Sequence, residues 1–218
     1  MKLLVPPQSG SVAGQTASRN RFGQYLRTRA TPVNPNSVDQ AAARARLSAN
    51  ASSWRTLTSD QRAGWLSLGQ QIQRTDSLGQ TYTLNGFMAY VAVNNNNLAA
   101  GNAVVADAPA LTTPDPLLTA VLTLDNATFD VAYTVTPLPA GARLFAFCSP
   151  QRSAGRDFEG DYRLIQVSAA AAASPADILA AYTARFGAPV AGNKIFLSLA
   201  VYLDGFLSTP LLVAQIVA

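Results

Sequence analysis

Residues 193–204 read NKIFLSLAVYLD, and this apolar segment is the clearest indication of the fold. Its alternating side chains, rich in Leu, Val, Phe and Tyr, are typical of a β-strand. Five similar segments occur in the same part of the chain, at 118–125, 128–135, 142–149, 161–168 and 208–217. Turn-forming pairs such as Asp125-Asn126 and Asp204-Gly205 separate them. The pattern predicts an antiparallel β-sandwich of immunoglobulin or fibronectin-III type over residues 117–218.

A single helix is expected to interrupt these strands. It lies in SPADILAAYTARFG, residues 174–187, where Ser174 is a suitable N-cap and Pro175 suits the first helical position. Gly187 would follow its end. Upstream of the sandwich, residues 106–116 contain three prolines within eight positions, a composition that predicts a linker.

Residues 37–105 are predicted to form a small helical domain. Two segments begin with capping-box patterns, at Ser37 and at Thr58, each with glutamine three positions later. Asn85 is placed to cap a third helix. The side chains expected at the core of the first two helices are Trp54, Leu57 and Trp65.

Residues 1–36 are predicted to form an extended basic arm. The segment Asn20–Gly23 is typical of a hairpin turn between two short strands. Charge is uneven along the chain: residues 1–75 carry ten Lys/Arg and two acids, net +8, whereas residues 76–218 carry six and ten, net −4. This asymmetry indicates that the two parts face different neighbours. The whole chain is therefore predicted to be an α+β protein.

The arginines of the arm are its most distinctive feature, and three interpretations of them stay open. The favoured one is a protein partner, whose acids would pair with the arginines. The second is nucleic acid, because a ribbon edged with arginine can bind phosphates. The third is a solvated surface hairpin. The residues expected to bind the partner are Arg19, Arg21, Phe22, Tyr25, Arg27, Arg29 and Val33.

The composition offers little catalytic chemistry. There is no histidine, which removes the commonest general base and metal ligand, and the single cysteine, Cys148, lies in an apolar run and is expected to be buried. We therefore expect a protein that is not an enzyme and holds no cofactor or metal. Asp157, Glu159 and Asp161 could offer oxygen ligands to a hard cation, but a solvated hairpin loop is the favoured interpretation.

No targeting or membrane segment is expected. The opening MKLLVPPQSG has too short an apolar run for a signal peptide, and no stretch approaches the ~18 apolar residues of a membrane span. A further alternative function is a glycan-binding or cell-surface-binding module in the sandwich loops. Its aromatic contacts would be Phe158, Tyr162 or Phe206.

A pattern of glycine, arginine, proline and tryptophan runs through residues 9–65. Its members are Gly10, Gly14, Ser18-Arg19-Asn20, Gly23, Tyr25, Arg27, Arg29, Pro32, Asn34-Pro35, Gln40, Arg44, Trp54, Leu57-Thr58, Gln61-Arg62 and Trp65. This pattern resembles the N-terminal region of uncharacterised proteins encoded by tailed bacteriophages and prophages. The resemblance implies a virion structural protein of the capsid, neck or tail, made in the host cytoplasm. Its implied partners are other virion subunits, copies of itself included.

Overall fold

The computed structural model describes residues 9–20, 23–31, 33–76 and 78–218. The chain divides into two compact units, the first ending at Arg44 and the second comprising Ala45–Ala218. The described residues form four helices and several antiparallel sheets, which confirms the α+β class.

The first unit contains a three-stranded antiparallel sheet in the order β1-β2-β3. Its strands are β1 (Gly10–Val12), β2 (Gln15–Asn20) and β3 (Gly23–Thr28). The pairing of β2 with β3 confirms the two strands expected on either side of the Asn20–Gly23 segment. Strand β1 was not expected, and it joins β2 through Ala13 and Gly14, whose φ angles of 46° and 80° are those of a tight hairpin turn.

Three helices and one small hairpin follow along the chain. They are α1 (Val38–Thr56), α2 (Ser59–Gln71), β4 (Gln73–Thr75), β5 (Thr81–Thr83) and α3 (Gly86–Ala99). The predicted capping box is present at Thr58, whose side chain accepts from the Gln61 amide. Asn85 caps α3 as predicted, because its side chain accepts the Met88 amide at 2.8 Å.

Trp65 is the centre of the helical core. Its side chain is fully buried, stacks edge-on against Tyr90 at 5.1 Å between ring centroids, and donates its indole N–H to the Ala106 carbonyl at 2.7 Å. Leu57 is buried with it, and Trp54 packs at the margin of the same cluster. A buried indole N–H needs an acceptor, and here the Ala106 carbonyl supplies it. Residues after α3 therefore pack onto the helices.

The C-terminal part of the second unit consists mainly of strands. They are β6 (Thr119–Leu124), β7 (Phe129–Thr134), β8 (Arg143–Cys148), β9 (Arg152–Ser153), β10 (Arg163–Val167), β11 (Ala176–Asp177), β12 (Asn193–Leu203), β13 (Phe206–Leu207) and β14 (Leu211–Ile216), with helix α4 (Leu179–Phe186) between β11 and β12. All six strands expected from the sequence are present, as β6, β7, β8, β10, β12 and β14.

Strand β12 is the central element of a six-stranded sheet. It pairs with β8 along one edge and with β14 along the other, and β10 extends the sheet beyond β8. A second sheet has the order β11-β7-β6. Alternate residues of β12 point to opposite sides. Ile195, Leu197 and Leu199 belong to a core shared with the second sheet and α4, whereas Ser198 and Ala200 lie on what we call the outer face.

The inserted helix begins later than the sequence indicated. Ser174 does not cap it; the Ser174 hydroxyl accepts the Tyr133 amide at 2.9 Å instead. Ala176 and Asp177 pair with β7, so this segment is a short strand before the chain turns into α4. The expected end at Gly187 is confirmed, with a φ of 87°. Long-range pairing with β7 therefore overrides the local capping signal.

The helical and sheet parts of the second unit are joined by polar contacts as well as by packing. The Tyr202 hydroxyl donates to Asn97 Oδ1 at 2.7 Å, and Asn96 donates to the Gly205 carbonyl at 2.8 Å. These bonds connect α3 to the end of β12. Asn97, in the asparagine run of α3, is thus buried and hydrogen-bonded.

Candidate functional site

The N-terminal sheet places its arginines on both faces. Directly opposed residues of paired strands share a face. Arg19 is opposite Gln24, and Arg27 is opposite Thr16. The two pairs are three positions apart along each strand, and side chains separated by an odd number of positions lie on opposite faces. Arg19 and Arg27 therefore point to opposite sides of the sheet.

The other predicted partner-binding residues are all accessible where the structure describes them. Tyr25 is half-buried and shares the face of Arg27. Arg29 is exposed beyond the end of β3, and its amide donates to the Gly14 carbonyl at 2.7 Å. Val33 is 87% exposed. Arg21 and Phe22 lie outside the described residues.

A concavity of mixed polarity lies on the face of the sheet that carries Arg19. It has a volume of about 840 Å³, and its lining includes the apolar residues Val12, Ala17 and Leu26 and the polar residues Ser9 and Gln15. Val12 is 78% exposed. These residues could not be found from the sequence, because their only signal is a period-two alternation in short polar strands. This face of the sheet therefore combines the Arg19 guanidinium with a partly apolar concavity.

The Arg44 side chain has a structural role, because it forms hydrogen bonds with the segment that precedes α1. Its guanidinium donates to Asn34 at 2.8 Å and to Asn36 at 3.2 Å. These bonds fasten the proline-containing segment to the first turns of α1. The following residues of α1, from Ala41 to Ala49, are all exposed.

A second candidate surface lies on the loop between β9 and β10. Glu159 is buried, and its carboxylate accepts from the Arg152 guanidinium and from the amides of Gly160 and Asp161, at 2.8 and 2.9 Å. Arg156 approaches the same carboxylate at 3.5 Å. The hydrogen bond from Arg152 and the two amides lower the pKa of Glu159 to about 2, against the opposing effect of burial.

The solvated-loop interpretation is thus wrong for Glu159 and right for Asp157, whose side chain is 97% exposed. Asp157 lies 3.7 Å from the Lys194 ammonium, and Asp161 lies 3.2 Å from the Arg163 guanidinium. Each acid of the loop therefore has a cationic neighbour. Among the residues that the structure describes, no group of three or more potential ligands could hold a metal ion.

Buried tyrosine and cysteine side chains line the shared core. Burial raises the pKa of the Cys148 thiol and of the Tyr182 hydroxyl, which keeps both groups protonated at neutral pH. Tyr182 donates to the Ser149 carbonyl at 3.3 Å. Because the thiolate is the nucleophilic form, Cys148 is suited to packing and not to covalent chemistry.

The edges of the two C-terminal sheets also expose apolar side chains. Strand β6 lies beside β14, and the Ala218 amide donates to the Leu124 carbonyl at 3.0 Å. Val121 on β6 and Leu212 on β14 are largely exposed. Exposed apolar side chains on strands at sheet edges are typical of contact surfaces.

Within the part of the chain that the structure describes, no helix has the length and apolar character needed to cross a membrane. Comparisons with known proteins give no relative: no protein-family model, no curated protein and no solved structure matches this chain.

Proposed function

We propose that this chain is a non-enzymatic structural protein of a bacteriophage particle, located in the virion. In this proposal the N-terminal sheet belongs to an arm that contacts neighbouring subunits, and the C-terminal sheets form a sandwich of immunoglobulin or fibronectin-III type whose surfaces pack laterally. The partners are other virion subunits, copies of this chain included.

The observation that carries the proposal is that the described residues of the first unit form no buried core. Among residues 9–19, 23–31 and 33–44, none is buried. Ordering a residue costs about 1–2 kcal/mol of backbone entropy, which burial of apolar surface normally offsets. A partner surface would supply the missing burial.

The contact would combine two kinds of interaction. Arg19, Arg27 and Arg29 would pair with carboxylates of the neighbour, for which guanidinium groups have matching geometry. Tyr25 and Val33 would lose their exposed apolar surface. Phe22, which lies outside the described residues, stays a predicted contact. The concavity on the face of Arg19 would receive a side chain of the neighbour.

The presence of arginines on both faces of the sheet favours a protein partner over a nucleic-acid partner. A duplex groove would contact one face of a sheet, and only one of Arg19 and Arg27 could then reach phosphates from that face. An arm enclosed between subunits uses both faces. The acids of residues 76–218, ten in number, offer partners in a second copy.

Crosslinking mass spectrometry on particles from the native source tests the proposal. We expect crosslinks from residues 10–36 to other virion subunits. Crosslinks to nucleic acid, lost as salt is raised, would replace the proposal with the nucleic-acid alternative. Crosslinks confined to the same chain would leave a solvated surface hairpin.

A deletion tests the role of the arm directly. A chain lacking residues 1–36 is expected to keep its β-rich circular dichroism spectrum and to fail to enter particles. The double variant Arg27→Glu/Arg29→Glu is expected to fail likewise, whereas the matched control Arg55→Glu/Arg74→Glu, which alters two exposed arginines outside the arm, should be incorporated. Normal incorporation of the truncated chain would refute the proposal.

A further inference from the structure

Phe158 is a solvent-exposed apolar residue in a loop that is held by hydrogen bonds. Its side chain is 78% exposed, at the tip of the loop between β9 and β10. The Arg156 guanidinium donates to the Phe158 carbonyl at 2.6 Å, and the neighbouring Glu159 carboxylate is buried against Arg152. A large aromatic side chain on a pre-organised support is typical of an interface anchor, because little conformational entropy is lost when it binds.

A small apolar cleft lies on the outer face of the six-stranded sheet. Its volume is about 200 Å³. A dry cavity of about 150 Å³ is large enough for benzene, so the cleft can accept a phenyl ring. Its apolar lining consists of Phe147, Tyr162, Ala200, Leu207 and Pro210.

The loop and the cleft lie on the same side of the sheet. Lys194 and Ala200 are on the outer face of β12, since they are separated by an even number of positions. The Lys194 ammonium donates to the Arg156 carbonyl at 2.8 Å, which places the loop on this side. Tyr162, four residues after Phe158, lines the cleft itself.

An exposed Phe158 side chain and a cleft of suitable size on the same surface meet the requirement of a two-fold symmetric dimer interface. In such an interface the same patch is used by both copies, so the patch must contain both the inserted group and its receptor. The charges beside Phe158 are also mixed, because Arg156 and Asp157 immediately precede it in the loop. A mixed-charge patch can pair with its own copy, whereas a patch of one sign would repel it.

We propose that this face binds a second copy of this chain, with Phe158 of each copy inserted into the cleft of the other. The inference rests on the proposed assembly function and names one of its lateral contacts. It does not involve the N-terminal arm.

Sedimentation velocity of the purified full-length chain over a wide concentration range tests the contact. We expect reversible dimers, and we expect Phe158→Ser to raise their Kd by at least about a hundredfold, because both anchors are lost and each contributes tenfold or more. The matched control Leu78→Ser removes a similarly exposed apolar side chain, 71% exposed and far from this loop in sequence, and should leave the Kd unchanged.

A complementation experiment identifies the cleft. Pro210 is an exposed residue of the cleft wall, so Pro210→Arg should obstruct the cleft and give monomers while leaving Phe158 in place. A mixture of Phe158→Ser and Pro210→Arg chains should form mixed dimers, since one intact anchor meets one intact cleft. Absence of mixed dimers would overturn the proposed geometry.

Two further results would overturn the inference: a wild-type chain that stays monomeric throughout, or Phe158→Ser dimers as strong as those of the wild type. Either result leaves the arm proposal standing if the chain lacking residues 1–36 fails to enter particles. Conversely, a dimer that depends on Phe158, found together with normal incorporation of the truncated chain, refutes the arm proposal and supports the contact.

Discussion

Alanine substitutions at Gly69 and Gly64, two glycines of helix α2, are expected to change stability in opposite directions. A Cβ atom at Gly69 would lie 2.6 Å from the Leu84 carbonyl oxygen and 3.0 Å from that of Asn85. Both are backbone atoms at the entrance to α3, so neither can rotate away. A Cβ atom at Gly64 would meet only the Ala108 methyl group, at an ordinary contact distance of 3.6 Å.

The magnitudes follow from two opposing effects. Alanine is favoured over glycine in a helix interior by about 0.8–1 kcal/mol. At Gly64 nothing opposes this gain. At Gly69 overpacking costs about 1–3 kcal/mol, and the upper end applies because the contact is with backbone. The shift would also strain the hydrogen bond from the Leu84 amide to the Gly69 carbonyl, which is 3.1 Å long. The expected net loss for Gly69→Ala is about 2 kcal/mol.

Thermal and urea unfolding followed by circular dichroism measure both effects. For a chain of this size, 1 kcal/mol corresponds to a Tm change of about 2–4 °C. We expect Gly69→Ala to lower the Tm by about 4–8 °C and Gly64→Ala to raise it by about 2–4 °C. Shifts of the same sign for the two variants would show that the close approach of α2 to the α3 entrance is not as described.

Two further predictions concern the second unit. Because the pKa of Glu159 is lowered to about 2, its ion pair should stabilise the fold above the ordinary carboxyl pKa of about 4.5 and lose this effect as the pH falls to about 2. Glu159→Gln should therefore be less stable at neutral pH and less sensitive to acid in urea titrations. An unchanged acid dependence would contradict the ion pair. Cys148 should resist iodoacetamide in the folded chain and react after unfolding, because burial raises the pKa of its thiol. Labelling of the native protein at the rate of the unfolded chain would contradict this burial.

Local patterns predicted the elements whose stability is local. The capping box at Thr58 and the cap at Asn85 are present because each cap bonds to amides within its own first turn. The long strand β12 was recognised because its apolar alternation extends over many residues. Strands of two or three residues, such as β1 and β11, carry too little pattern to be found in this way.

The candidate surfaces could be predicted from the sequence to different degrees. The arginines of the N-terminal sheet were found from composition, but their division between two faces depends on the register of β2 with β3. Glu159 was expected in solvent, because its partner Arg152 lies across a loop and no spacing rule connects them. The cleft near Phe158 is assembled from β8, β12, β13 and two loops, so no single segment contains its signal.

The sequence by itself determined the α+β class, the six principal strands, the helix caps and the uneven charge, since these depend on side-chain type and on neighbours a few positions away. Tertiary structure decided which side chains are buried, as at Glu159, and which local signals are overridden, as at Ser174, where pairing with β7 takes precedence over helix capping. It also decided that the Phe158 loop and the cleft lie on one side of the six-stranded sheet. These outcomes depend on residues far apart in the chain, and only packing brings them together.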